Sequence, residues 1–172
     1  MSLRLLLALL GGLGLMTVGG AHGSLGELAA AGAIAPDRLA WPLSEWVLAQ
    51  SYGCTALDLE PAASWCPTGH FHSGLDLAAP MGTPVHAAAG GVVRAAEDPR
   101  GYGLYVVVDH GGGVSTLYGH LEWTRLGKGV AVRAGDDLGF VGSSGLSTGP
   151  HLHFEVRRDG RPVDPIPWLP AA

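Results

Sequence analysis

Glycine sets the first limit on what this chain can become. It supplies 28 of 172 residues with no fixed period, roughly twice the usual ~7% share. Each glycine inside a helix costs ~1 kcal/mol relative to alanine, so long helices are disfavoured throughout. Charged residues are only 15%, against the usual ~25%, so the Lys- and Glu-rich surfaces of helical bundles are also missing. Short strands joined by tight turns fit better. Hydrophobic residues at 47% exclude a disordered or fibrous chain. Ten Lys and Arg against fifteen Asp and Glu give a net charge of −5. That balance gives no support to nucleic-acid or anionic-membrane binding, which needs a basic patch.

The first 23 residues read as an export signal. Arg4 is the only charged side chain before Glu27, and Leu5 to Met16 form a Leu- and Gly-rich apolar run. The run is about twelve residues, inside the ~7–15 of a signal-peptide core and short of the ~20 that span a bilayer. Gly19, Gly20, Ala21 and Gly23 are small enough for a signal peptidase, so cleavage is expected after Ala21 or Gly23. An uncleaved anchor is the competing reading. Export also frames the cysteines. Cys54 and Cys66 are the only two, and in an oxidising compartment such a pair is expected to form a disulfide. Two reduced thiols or two metal ligands are the alternatives.

Residues 24–41 form an Ala-rich leader, and residues 42–170 a single β-rich body. Short β-type runs are expected at Val85 through Val93, Leu104 to His110, Val114 to Leu121, Val130 to Val132, Leu138 to Val141 and His151 to Arg158. Gly111-Gly112-Gly113 between the second and third reads as a hairpin turn. No stretch of twelve residues has helical periodicity, and no internal repeat is found. The expected class is all-β, with two packed antiparallel sheets.

Histidine carries the chemistry. In His151-Leu152-His153-Phe154-Glu155-Val156-Arg157, alternation puts Leu152, Phe154 and Val156 on one strand face. The other face then holds two imidazoles, a carboxylate and a guanidinium. A second cluster, His70-Phe71-His72-Ser73-Gly74-Leu75-Asp76, adds imidazole and carboxylate around a glycine. Two His and one Asp suit a three-ligand Zn²⁺ site that leaves a fourth position for water. H-E-x-x-H is absent, which excludes a helix-borne site of that type. From the residues alone, His70 and His72 are interchangeable, as are His151 and His153.

Three motifs in order resemble the lysostaphin-like, LytM-type zinc endopeptidases. Phe71 to Pro80, then Gly82-Thr83-Pro84-Val85, is similar to their H-x-x-x-D segment. Tyr118-Gly119-His120-Leu121 is similar to their Tyr-x-His-Leu element. Gly142 to Gly145, then Ser147 to Glu155, is similar to their H-x-H signature and its leading loop. The resemblance runs from about Pro42 to Leu169. It implies the two-sheet, duplicated-hybrid-motif-like fold, one bound zinc per chain, and cleavage of peptidoglycan peptides. Carried over, it implies His72, Asp76 and His153 as zinc ligands, and His120 and His151 as the catalytic pair. His70, His86 and His110 then read as structural or rim residues. Some relatives have lost ligands and act only as activators, whereas all five positions are filled here.

The resemblance implies hydrolysis by a zinc-activated water, with one histidine as base and the other as donor. Glu155 has two readings, orienting a ligand imidazole or pairing with Arg157. Tyr118, on the face of His120 by alternation, is a candidate to bond the tetrahedral intermediate. The expected protein is a secreted monomer of the periplasm or cell envelope, with no nucleic-acid partner and no membrane association after signal cleavage. A catalytically silent wall-binding or amidase-activating module is the alternative, as is a zinc protease acting on Gly-rich proteins.

Overall fold

A computed structural model describes residues 39–171. The expected signal segment and the leader up to residue 38, with His22, lie outside the described residues. The strands are β1 (Val47–Gln50), β2 (Gly53–Thr55), β3 (His70–His72), β4 (Leu75–Ala78), β5 (Pro84–His86) and β6 (Gly91–Asp98). They continue with β7 (Gly103–Gly111), β8 (Val114–Trp123), β9 (Ala131–Val132), β10 (Asp137–Val141), β11 (His151–Arg158) and β12 (Arg161–Val163). One 3₁₀ turn, Ile166–Trp168, is the helical element among the described residues. No described helix is long and apolar enough to cross a membrane. The class is all-β, as expected.

Pairing is antiparallel throughout, along the order β1-β4-β11-β8-β7-β6-β9. β10 leaves this path to pair with both β8 and β5, β12 flanks β11, and β2-β3 form a separate ribbon. The expected hairpin is present: Gly111, Gly112 and Gly113 all have positive φ, and they return β7 onto β8. The expected single run from Val85 to Val93 is two strands. Between them Ala87 hydrogen-bonds Asp136 and Gly135, and the Ala88 carbonyl accepts the amide of Ala40. Gly91 then joins β7 so closely that an added Cβ would lie 2.3 Å from the Asp109 carbonyl oxygen.

One buried cluster joins the layers. Leu75, Leu77, Leu152, Phe154 and Tyr118 from the central strands meet Val85, Val93, Leu138 and Val141 from β5, β6 and β10. Leu39 belongs to the same cluster, with its amide bonded to the Trp168 carbonyl at 3.0 Å. Cys54 is bonded to Cys66. The loop they close is tied to β3, because His70 Nδ1 reaches the Glu60 carbonyl at 2.7 Å and the Phe71 amide reaches Pro61 at 3.1 Å.

A directional polar chain crosses this core. The Ala88 amide (2.8 Å) and the Thr116 hydroxyl (2.9 Å) both donate to Tyr118 Oη. Thr116 Oγ1 is in turn 2.9 Å from His110 Nε2, and His110 Nδ1 donates to the Gly90 carbonyl at 2.8 Å. His110 is therefore a core residue, in keeping with a structural role. Burial lowers its pKa below 6.5, against the Gly90 carbonyl and Asp109, which raise it. A histidine depressed in the folded state stabilises fully above its unfolded pKa of 6.5, and the contribution is lost as pH falls towards the folded value. Unfolding measured against pH should lose up to ~1.4 kcal/mol per pH unit through this group just below pH 6.5. In His110→Asn that part of the slope should disappear; an unchanged slope would show that His110 is not the titrating group.

Candidate metal centre and cleft

The ladder register builds the site. His153 on β11 pairs with Asp76 on β4 and with Gly119 on β8, so the three form one row across the sheet. Residues in a row share a face, which puts the Asp76 carboxylate beside the His153 imidazole. His151, two positions away, faces the same side, while Leu152 and Phe154 are buried on the other. The alternation expected for β11 holds. His72 ends β3 and reaches the row because the β3–β4 turn passes tightly under β11. A Cβ added at Gly74 would come 2.4 Å from the Phe154 carbonyl oxygen, so only glycine fits there.

Three ligand-type atoms converge. His72 Nε2 is 3.1 Å from Asp76 Oδ1 and 3.1 Å from His153 Nδ1, and His153 Nδ1 is 2.9 Å from Asp76 Oδ1. The far nitrogens of both rings are engaged by groups that only accept. His72 Nδ1 donates to the Ser51 carbonyl at 2.9 Å, and His153 Nε2 to Glu155 Oε1 at 3.1 Å. In the neutral tautomers two bare nitrogens and a carboxylate oxygen therefore point at one spot. Such a set demands positive charge. Atoms bound to a tetrahedral Zn²⁺ at ~2.0–2.1 Å lie roughly 3.3 Å apart, close to the spacing here. His72, Asp76 and His153 thus fit a metal by donor type, direction and distance, and they form a possible metal-binding group.

Titration carries the same signature. Burial opposes charge on His153, but hydrogen bonds and charges from Asp76 and Glu155 outweigh it and raise the imidazole to about 9. Burial likewise opposes charge on Asp76, yet hydrogen bonds from His153 and His72 hold it well below the usual carboxylate range. Glu155 is fully buried, and both of its expected roles are realised together. Its Oε1 accepts from His153, Ser73 Oγ and Tyr102 Oη, and its Oε2 accepts from Arg157 Nε. Burial would raise its pKa; the bonds from His153 and Arg157 bring it down to about 2.

His120 and His151 stand beside this group, with ring centroids 4.7 Å apart. His120 has φ of 59°, the left-handed region that non-glycine residues rarely enter. The cause is an extra residue in β8: Leu104 pairs with Leu121 and Val106 with Tyr118, so two steps on β7 face three on β8. This bulge turns His120 out of the alternation and over the cleft. Its amide bonds the Tyr102 carbonyl at 2.7 Å, and its Nδ1 donates to the Ser144 carbonyl at 2.7 Å. Burial, with help from His151 and His153, lowers its pKa to about 4 despite the Ser144 bond. His151 Nδ1 is fixed by the Gly149 carbonyl at 2.8 Å, and its Nε2 lies 3.6 Å from Asp76 Oδ1.

The bulge also corrects the reading of Tyr118. Alternation put it on the face of His120, but it is fully buried with its hydroxyl in the core polar chain. It does not reach the cleft. The tyrosine that does is Tyr102, which lines the cleft and packs against His153 with tilted rings whose centroids are 5.4 Å apart. It lies in a Gly-Tyr-Gly turn with no periodic signal, so alternation could not have found it. His70 and His86 stay outside the cluster, in keeping with structural roles. Tyr118→Phe should cost ~1–3 kcal/mol of stability, because the Ala88 amide loses a buried acceptor. It should leave any hydrolysis per folded molecule unchanged; thermal unfolding beside an assay at a temperature where both variants are folded checks this.

Residues 70–165 match Peptidase family M23. The DD-carboxypeptidase/endopeptidase Mpg of Neisseria meningitidis serogroup B is 50% identical over 99 residues, covering 58% of this chain and 23% of that protein. The murein hydrolase activator EnvC of Escherichia coli K12 is 47% identical over 96 residues, covering 56% and 23%. The aligned part thus spans under a quarter of these curated relatives. Among solved structures, the catalytic domain of the antimicrobial peptidase lysostaphin from Staphylococcus simulans superposes with a TM-score of 0.58 at 30% identity, covering 71% of this chain and 90% of that one. The match takes in more than half of the residues and both histidine clusters, and the chain belongs to peptidase family M23.

Proposed function

We propose that this chain is an exported zinc endopeptidase that hydrolyses peptide bonds of bacterial peptidoglycan, in cross-links or stem peptides. The observation that carries the reading is the convergence of three lone pairs, from His72, Asp76 and His153, beside two further histidines with fixed tautomers. His72, Asp76 and His153 would hold one Zn²⁺. Bound there, the ion supplies a Lewis acid that polarises a carbonyl and lowers the pKa of water. The chain's own residues do the rest. His120 is neutral at pH 7 and, with its Nδ1 proton on Ser144, presents a bare Nε2 that takes a proton from water. A proton on His151 Nε2 is directed towards the Asp76 side of the cleft, where the departing amine can receive it. Glu155 fixes the tautomer and plane of His153 from behind.

The activator relative keeps a second reading open, a module that binds wall without cutting it. The complete set of five residues supports the enzyme. Two substitutions separate metal binding from chemistry. In His153→Ala one of three ligands is gone, so zinc content and hydrolysis of purified sacculi should fall together. In His120→Ala the ligands remain, so about one zinc per chain should be retained while hydrolysis drops by ~10²-fold or more. Zinc lost from His120→Ala and kept in His153→Ala would overturn the ligand set. Intact zinc with no cleavage of any sacculus by the unaltered chain would favour the activator.

Export to the periplasm or cell envelope rests on the N-terminal apolar run, and the Cys54–Cys66 bond is in keeping with an oxidising compartment. The mature chain should begin at residue 22 or 24. Intact-mass analysis of envelope-derived protein checks both points; residues 1–20 retained, or two free thiols, would count against them.

A further inference from the structure

The cleft beside the histidines has a volume of about 340 Å³, and its walls differ in chemistry. One wall comes from the loop closed by Cys54 and Cys66, which offers the half-exposed side chains of Leu57 and Leu59. Further lining comes from the turn after β6, which offers Arg100 and Tyr102. Arg100 is the one Lys or Arg lining the cleft among the described residues.

The carboxylates around it are occupied elsewhere. Asp98 Oδ1 accepts the Arg100 backbone amide at 3.2 Å, and its Oδ2 lies against Gly101. Glu60, in the loop closed by the disulfide, accepts from Gln50 Nε2 at 3.1 Å. Asp76 belongs to the metal group. No carboxylate pairs with the Arg100 guanidinium among the described residues. The turn itself is anchored: the Gly101 amide returns to Asp98 at 3.1 Å, and the Leu146 amide bonds the Gly101 carbonyl at 2.9 Å. A cation with no internal partner is thus carried at a defined place in a cleft that is also lined by Leu57 and Leu59.

We propose that Arg100 is the seat for a free carboxylate of the substrate, so that the cleft selects peptides bearing an anionic group next to the cleaved bond and a small aliphatic side chain against Leu57 and Leu59. A guanidinium pairs with carboxylate through two parallel hydrogen bonds, which an amide cannot reproduce. This rests on the endopeptidase reading and narrows its substrate class. Cross-links through a diamino acid with a free second carboxylate are favoured, and uncharged Gly–Gly bridges are not. A C-terminal carboxylate offers the same chemistry.

The test uses the zinc-loaded chain and two pairs of synthetic peptides. One pair is a D-Ala–diaminopimelate cross-linked dimer with the carboxylate beside the bond either free or amidated. The other carries a free or an amidated C-terminus one residue from the bond. Binding is measured by titration calorimetry, and cleavage by mass spectrometry. The unaltered chain should bind the free acid of one pair about tenfold more tightly than its amide, the scale of one partly exposed charge-assisted contact. Which pair shows the preference identifies the source of the carboxylate. Arg100→Gln should abolish the preference and leave affinity for the amide within about twofold, whereas Arg100→Lys should retain part of it. Equal binding of acid and amide in both pairs overturns the proposal. So does a preference that survives in Arg100→Gln, or no binding of any of the four peptides. A preference lost in Arg100→Gln without hydrolysis of any bond sinks the endopeptidase reading and leaves the seat standing. Hydrolysis at equal rates for acid and amide does the reverse.

Discussion

The contact between Asp76 and His153 across β4 and β11 is the point on which the site depends. It exists because two strands far apart in sequence pair in one register, with His153 opposite Asp76 and Leu152 opposite Leu77. A slip of one residue would send Leu152 and Phe154 into the cleft and bury the imidazoles in the core. The apolar face therefore enforces the polar one. Burying Leu75, Leu77, Leu152 and Phe154, each side chain worth ~1.5–3 kcal/mol, holds the strands in the one alignment that brings the ligand atoms together.

Glu155 shows how the site tolerates so much buried charge. A lone carboxylate in that position would be costly to ionise. It is instead surrounded by a tyrosine, a serine, an imidazole and a guanidinium, each giving a proton to one of its oxygens. Ionised Glu155 in turn fixes which nitrogen of His153 is bare. The partner shell comes from one strand, β11, and two turns, so the orientation of one imidazole is shared among residues from Ser73 to Arg157.

Much of this was legible in the sequence, and the exceptions have a common cause. Alternation in β11 gave the correct face for every residue from His151 to Arg157, because a regular strand repeats every two residues. The Gly111–Gly113 turn was readable because glycine is the residue that accepts positive φ there. Tyr118 was misread because an extra residue in β8 breaks the alternation between it and His120, and no local signal marks a bulge at a histidine. Tyr102 had no signal either, since its place depends on where a turn meets strands dozens of residues away. The strands β1, β2, β3, β4 and β12 are short and take their form from their neighbours more than from their own composition. Between Val85 and Val93, a uniformly apolar run concealed a change of partner strand.

The outer strands bear on whether copies of such a chain can join edge to edge. A sheet of ten strands, in a sequence with few charges, invites the backbone of a second chain to continue the ladder. The path ends in β9, two residues long, and in β1, four residues long and interrupted by a register shift. β12 adds three residues and carries Pro162, which has no amide hydrogen to offer. None presents a run of free amides and carbonyls long enough to template another strand. With little charge to keep copies apart, brevity and irregularity at the rim stand in for repulsion, and lengthening an outer strand would remove the barrier to fibrous self-association.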